Sequence, residues 1–107
     1  MATRTHGETF DVLSPGGPFG VDISPAAPRL DGLDGKTIAF VWDYVFRGDD
    51  MFPAIEQALQ QRFAGLTFVP YDAFGSIFGG DEEAVLEALP DKLRALGVDG
   101  AICGVGC

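Results

Sequence analysis

The stretch Lys36-Thr37-Ile38-Ala39-Phe40-Val41-Trp42 decides the fold of this chain. It follows a turn signal at Asp34-Gly35, and apolar side chains occupy both of its faces. A strand that is apolar on both faces is typical of a buried strand in a parallel sheet. We therefore predict a strand over residues 36–42, with a loop over residues 43–49 at its carboxyl end.

A helix and a second strand are predicted directly after this loop. Apolar residues recur at helical spacing over residues 51–63. Asp50 is suited to be the N-cap of this helix, and Pro53 suits its first turn. The second strand covers residues 66–71, and Pro70 indicates that the strand lies at an edge of the sheet or ends there.

The remaining chain predicts a second helix and a third strand. Asp81 is the expected N-cap, and we expect Pro90 to kink the helix or to divide it into residues 82–88 and 91–96. The third strand follows Gly97. Strands that alternate with helices indicate a parallel sheet, so we predict a small three-layer, doubly wound α/β domain with strand order 2-1-3. The third strand would expose an apolar edge, which natural domains cover, and we expect a further strand, a partner subunit or a second copy of the chain there.

The N-terminal third of the chain has a different character. Prolines and glycines recur between residues 14 and 29 and exclude a regular helix or a central strand. We therefore divide the chain into an extended arm, residues 1–34, and an α/β domain, residues 35–107. The arm is expected to lie against the domain through four apolar side chains: Phe10, Phe19, Val21 and Ile23.

Composition restricts the classes of partner. The chain has 107 residues and a formal net charge of −9, whereas nucleic-acid binding requires clustered Lys and Arg. Its apolar runs are far shorter than the ~18 residues of a membrane span, and its first residues lack the apolar core of a signal peptide. We expect a cytoplasmic protein that binds neither nucleic acid nor membrane and whose cysteines are reduced thiols.

The candidate reactive residue is Cys107. Ligands and catalytic groups of open α/β sheets gather beyond the carboxyl ends of the strands, and Cys107 follows the third strand. Gly104 and Gly106 would let backbone N–H groups approach a substrate. The alternative is that Cys107 is a small buried residue at the end of a strand. For Cys103, inside the strand, we expect core packing.

Other candidate groups follow the first and second strands. Asp43 and Tyr44, directly after the first strand, are expected to line a small-molecule pocket, although Asp43 would also suit the role of capping a turn. The loop over residues 75–80 resembles a phosphate cradle, but its glycine spacing is wrong and the acidic residues that follow it would repel an anion. One His and two Cys are too few for a zinc site, and we predict neither a metal nor a cofactor.

Several segments together resemble the UGSC family of (seleno)proteins. The segments that carry the resemblance extend over nearly the whole chain: Phe10–Pro15, Ala27–Asp31, Leu33–Ile38, Trp42–Asp49, Phe74-Gly75, Gly79–Asp81 and Gly104–Gly106. In that family an apolar strand and Gly-Val-Gly lead into selenocysteine or cysteine followed by Gly-Ser-Cys, with a further helix and strands after it. Cys107 corresponds to the residue before the motif or to its first position.

The resemblance implies a redox role, in which a selenolate or thiolate attacks a small activated substrate and the second cysteine resolves the product. Gly-Ser-Cys is absent from this chain, and one hypothesis is that an in-frame UGA codon for selenocysteine follows codon 107. The alternatives are a non-catalytic subunit that binds a small molecule or a partner, and a cysteine-dependent racemase or isomerase that would need a second half.

Overall fold

The computed structural model describes residues 7, 9–17, 20 and 22–106. Its elements follow one another as β1 (Thr37–Trp42), α1 (Gly48–Arg62), β2 (Thr67–Val69), a short 3-10 helix (Tyr71–Ala73), α2 (Glu82–Ala95) and β3 (Gly100–Gly104). The three strands are all parallel and lie in the order β2-β1-β3. The predicted α/β fold and strand order are confirmed. Among the described residues, no helix has both the length and the apolar character needed to cross a bilayer.

Strand β1 is the centre of the core, as its apolar faces predict. Every residue from Ile38 to Trp42 is buried. On one face, Ala39 and Val41 pack with Phe74 and with Leu89 and Leu93 of α2. On the other face, the large rings Phe40 and Trp42 pack with Phe52 of α1. The two helices therefore cover opposite faces of the sheet, which gives the predicted three layers.

Helix α1 begins earlier than predicted. The expected N-cap, Asp50, lies inside the helix, and Arg47 is the N-cap residue. The backbone N–H groups of Asp50 and Met51 both donate to the Arg47 carbonyl, at 3.1 and 2.9 Å. The Asp50 carboxylate accepts a hydrogen bond from Nε of Arg47 at 2.7 Å instead of capping the helix. The start of the helix moves to Gly48, and Pro53 falls in the second turn rather than the first.

Helix α2 is continuous, so the predicted division at Pro90 is wrong. The proline removes the N–H that would reach the Leu86 carbonyl, which is one hydrogen bond in fourteen residues of helix. Leu89 and Leu93, on either side of it, both pack on the core at β1. This shared packing holds the two halves in one helix. Asp81 is the N-cap residue as predicted, but its side chain makes no capping hydrogen bond.

Strand β2 is shorter than predicted because the chain turns at Pro70. The strand covers Thr67–Val69 and pairs with Thr37–Ala39 of β1. Pro70 then becomes the cap of the 3-10 helix over Tyr71–Ala73. The prediction that the strand ends at Pro70 is confirmed.

Strand β3 has one neighbour, β1, and its other edge carries no strand among the described residues. Cys103 is paired in register with the buried Val41, yet its side chain is exposed. The prediction that Cys103 packs in the core is therefore wrong. Helix α2 packs on the central strand β1 but does not cover Cys103 in the edge strand β3.

The arm has no helix or strand among its described residues, in agreement with its prolines and glycines. Phe10 is 84% exposed and Ile23 is 85% exposed, so the expected contacts of these two side chains with the domain are not made. Phe19 and Val21 lie outside the described residues. The end of the arm does reach the domain, where Leu30 and Leu33 line an apolar groove of about 280 Å³ beside Ile38 and Ile102.

Candidate functional site

A cleft of about 440 Å³ opens at the carboxyl ends of the strands. Two parts of the chain that are distant in sequence form its walls. The first is the loop after β1, with Asp43, Tyr44 and Val45; the second is the loop before α2 together with the first turn of α2, with Gly75, Ser76, Phe78, Gly79, Gly80, Asp81 and Val85. This is the position at which open α/β sheets bind ligands. The structure thus brings the predicted Asp43 and Tyr44 together with a loop that follows β2.

Asp43 connects two loops at the floor of this region. Its Oδ1 accepts hydrogen bonds from the backbone N–H of Val45 at 3.2 Å and of Val105 at 3.1 Å. Its own N–H donates to the Gly104 carbonyl at 3.1 Å. The hydrogen bond to Val45 caps a turn, which is the alternative role that the sequence indicated for Asp43. The hydrogen bond to Val105 joins two residues that are 62 positions apart in the sequence. Asp43 therefore fixes the chain just beyond β3 to the chain just beyond β1.

Gly104 and Gly106, the two glycines that we expected beside a substrate, are not among the described residues that line the cleft. The Gly104 carbonyl accepts a hydrogen bond from the Asp43 N–H. Cys107, the candidate reactive residue, lies outside the described residues. In the part of the chain that the structure describes, no group of three or more His, Cys, Asp or Glu side chains is arranged to hold a metal ion.

Tyr44 is held against the core by aromatic packing. Its ring stacks on the Trp42 indole with centroids 4.6 Å apart, and it meets the Tyr71 ring edge-on at 5.5 Å. The indole Nε1 of Trp42 donates to the Val45 carbonyl at 3.0 Å. The backbone of Tyr44 has a φ of 63°, a left-handed conformation that is uncommon outside glycine. The stacking and the hydrogen bond hold the loop in this shape.

Ser76 fixes the opposite wall of the cleft. Its hydroxyl lies 2.8 Å from the Phe78 carbonyl oxygen and 3.2 Å from that of Asp43, and it accepts a hydrogen bond from the Phe78 N–H at 3.2 Å. The N–H of Ile77 donates to the Trp42 carbonyl at 3.2 Å. The loop before α2 is thus tied to the carboxyl end of β1.

The charge of the cleft is negative. Asp43 and Asp81 supply its carboxylates, and the described residues that line it include no Lys or Arg. The backbone N–H of Gly79, at the start of α2, donates to Oε2 of Glu82 at 2.9 Å. A carboxylate of the chain itself therefore occupies a donor that a phosphate cradle would require. The geometry agrees with the expectation that this loop does not bind an anion.

The ionisation of Tyr44 provides a first testable prediction. Burial raises the pKa of Tyr44 above its ordinary value of 10.0, and the neighbouring Tyr71 and Asp72 raise it further. Because the folded chain holds this proton more tightly than the unfolded chain, the contribution to stability is complete below pH 10 and is lost as the pH rises through the folded pKa. We expect the free energy of unfolding to fall in this alkaline range, and to fall less in Tyr44→Phe.

Absorbance titration checks this prediction directly. The chain has two tyrosines, so Tyr71→Phe leaves Tyr44 as the only tyrosine that titrates. Its midpoint should stay above that of the urea-unfolded variant, since burial, the first cause of the shift, remains. Equal midpoints in the folded and unfolded variant would contradict the prediction.

Sequence reasoning assigned no role in a pocket to three residues of this region: Ser76, Phe78 and Val105. It considered the loop of Ser76 and Phe78 only as a phosphate cradle, although the position of this loop after a strand also indicated a ligand site. Nothing local indicated Val105, because its role depends on a partner 62 residues away. Comparisons of the chain with protein-family models, with curated proteins and with solved structures found no match.

Proposed function

We propose that this chain is the substrate-binding and thiol-positioning part of an oxidoreductase that acts on a small molecule through a cysteine or selenocysteine at or directly after Cys107. The observation that carries the proposal is the 3.1 Å hydrogen bond from the Val105 N–H to Oδ1 of Asp43. Asp43 also lines the cleft, and Val105 precedes Cys107 by two residues. One side chain thus links the cleft to the segment that leads to the reactive position.

The cleft itself supports a small substrate. Its volume of about 440 Å³ lies within the ~300–1,000 Å³ of small-molecule sites. Such sites have mostly apolar walls and a few placed polar groups, and here Tyr44, Phe78 and Val85 accompany Ser76 and Asp43. The resemblance to the UGSC family supports the redox chemistry. For the compartment we propose the cytoplasm, where cysteines are kept as reduced thiols.

The proposed reaction is a two-electron reduction. The selenolate or thiolate attacks a substrate carbon, forms a bond from selenium or sulfur to that carbon, and expels the leaving group with its electron pair. The thiolate of the second motif cysteine then attacks the selenium or sulfur. The carbon leaves with the electron pair and takes a proton, while a selenenylsulfide or disulfide forms. An external dithiol reduces that bond and is itself oxidised.

The first experiment is to sequence the gene downstream of codon 107. The expected result is Gly-Ser-Cys codons in frame, either directly after Cys107 or after one further selenocysteine or cysteine codon. The extended chain, produced with cysteine at the first motif position, should form an internal disulfide on mild oxidation, detected by mass spectrometry as the loss of two hydrogen atoms. Cys103→Ser is the matched control and should form the same bond. Absence of these codons, or of the bond, would overturn the proposal.

A non-catalytic, partner-binding subunit is the second candidate function. The observation in its favour is the edge of β3, which pairs with no strand among the described residues; Ala101 and Cys103 are exposed on β3, and Ala101 lines the apolar groove with Leu30 and Leu33. A paired β-strand or a second copy of the chain would cover such an edge. In that case, alkylation of Cys103 should be fast in dilute protein and slow at concentrations at which sedimentation shows an assembly. Alkylation at one rate over the whole concentration range would argue against this candidate.

A further inference from the structure

We infer that the cleft at the carboxyl ends of the strands selects a small molecule that carries an ammonium group, an inference that rests on the proposed use of this cleft as the substrate site. It names the class of substrate, which the redox proposal leaves open. Two walls of the cleft carry the argument.

The first wall is the loop after β1. Asp43 is half-buried there, and its Oδ1 is already bound to two N–H groups. Oδ2 accepts no hydrogen bond from the residues that the structure describes. Beside it, Tyr44 also lines the cleft; its side chain is exposed and its ring stacks on Trp42. A carboxylate next to a fixed aromatic ring is a suitable environment for an ammonium group, because both attract a positive charge.

The second wall is the loop before α2. Its exposed Phe78 and its Asp81 line the same cleft. Aromatic rings attract cations within about 6 Å of their centroids, and Tyr44 and Phe78 line the cleft from different loops. Among the described residues, the lining of the cleft therefore includes two aromatic and two acidic residues and no Lys or Arg.

Four backbone N–H groups around the cleft are already bound to acceptors of the chain itself. The N–H groups of Val45 and Val105 donate to Asp43, that of Phe78 donates to Ser76, and that of Gly79 donates to Glu82. An anionic substrate would have to displace these contacts and approach two carboxylates. A neutral substrate could donate hydrogen bonds to the carboxylates but would gain no charge attraction from them. Charge and geometry together favour an ammonium group.

Probe binding tests this inference. Trp42 is the only tryptophan and stacks on Tyr44, so its fluorescence reports occupancy of the cleft. Tetramethylammonium is the cationic probe, tert-butanol is a neutral molecule of similar size, and inorganic phosphate is the anion, with sodium chloride added to keep ionic strength constant. We expect tetramethylammonium to bind at least about tenfold more tightly than tert-butanol, and phosphate to leave the fluorescence unchanged.

Variants identify the residues responsible. Asp43→Asn keeps an acceptor oxygen for the two N–H groups but removes the charge, and Asp81→Asn removes the second charge. Each should weaken tetramethylammonium binding about three- to tenfold. Asp91→Asn is the matched control, since Asp91 lies on the same helix, pairs with Arg94 and does not line the cleft. It should bind the probe as the unmodified chain does.

Three results would overturn the inference: equal affinity for tetramethylammonium and tert-butanol, no binding of either, or tighter binding of phosphate. Cys107→Ser separates this inference from the proposed redox function, because the cleft should bind tetramethylammonium without the thiol. A chain that forms the expected motif disulfide but does not select the cation would refute the ammonium inference alone. A chain that selects the cation but lacks the motif would refute the redox proposal alone.

Discussion

Gly48→Ala is expected to lower the free energy of unfolding by about 1–3 kcal/mol, the usual cost of overpacking a filled core. Gly48 is the buried first residue of α1. A Cβ atom there would meet the Trp42 indole at Nε1, and would lie 2.6 Å from Cε2 and 2.8 Å from Cδ1. Because such distances are below van der Waals contact, the indole has to move. Its hydrogen bond to Val45 and its stacking on Tyr44 should weaken together.

Urea unfolding followed by tryptophan fluorescence measures both consequences. The midpoint should fall, and the emission of the folded state should shift as Trp42 leaves its packed position. Gly32→Ala is the matched control, because a Cβ atom at Gly32 meets nothing within 4 Å. If Gly48→Ala unfolds at the same urea concentration as Gly32→Ala, with an unchanged emission spectrum, the close approach of α1 to Trp42 does not have the role that we assign to it.

Asp43→Ala is expected to destabilise the fold by about 1–3 kcal/mol, the cost of leaving partly buried donors without a partner. The Val45 and Val105 N–H groups would both lose their acceptor. The local effect should exceed the global one, since the chain after β3 would lose its connection to the loop after β1. Amide hydrogen exchange at Val45 and Val105 should therefore accelerate at least about tenfold.

Asp43→Asn is the control that separates the hydrogen bonds from the charge. Its side-chain oxygen still accepts from the two N–H groups, so exchange at Val105 should remain close to that of the unmodified chain. Exchange at Ile102, inside β3, should change little in either variant. Equal protection of Val105 in Asp43→Ala and in the unmodified chain would show that the connection does not depend on this carboxylate.

The α/β fold was predictable because its signals are local. Strand β1 is apolar on both faces, and such a strand needs cover on two sides, which the two amphipathic helices supply. Pro70 ended β2 as predicted, because a proline removes a donor from the sheet. The errors at Asp50 and Pro90 have one common origin. Local rules treat a cap or a proline in isolation, whereas here the Arg47 carbonyl and the packing of Leu89 and Leu93 decided the outcome.

The candidate site was only half predictable. Asp43 and Tyr44 were found because they follow directly after the central strand, where α/β proteins place ligands. Phe78 and Val105 were missed because they approach the cleft region from other parts of the chain. The exposure of Cys103 was also missed, since the alternation of a strand indicates which face a side chain is on but not whether a helix covers that face.

The sequence by itself determined the order of the elements, the central place of β1 and the acidic character of the molecule, because periodicity, turn residues and charge are properties of the chain at each position. The tertiary structure alone decided that Asp43 holds Val105, that α1 approaches Trp42 at Gly48, and that Asp43 and Tyr44 line one cleft with Phe78 and Asp81. The physical reason is that hydrogen bonds and packing depend on distances in space, and residues separated by 62 positions become neighbours only when the sheet has formed.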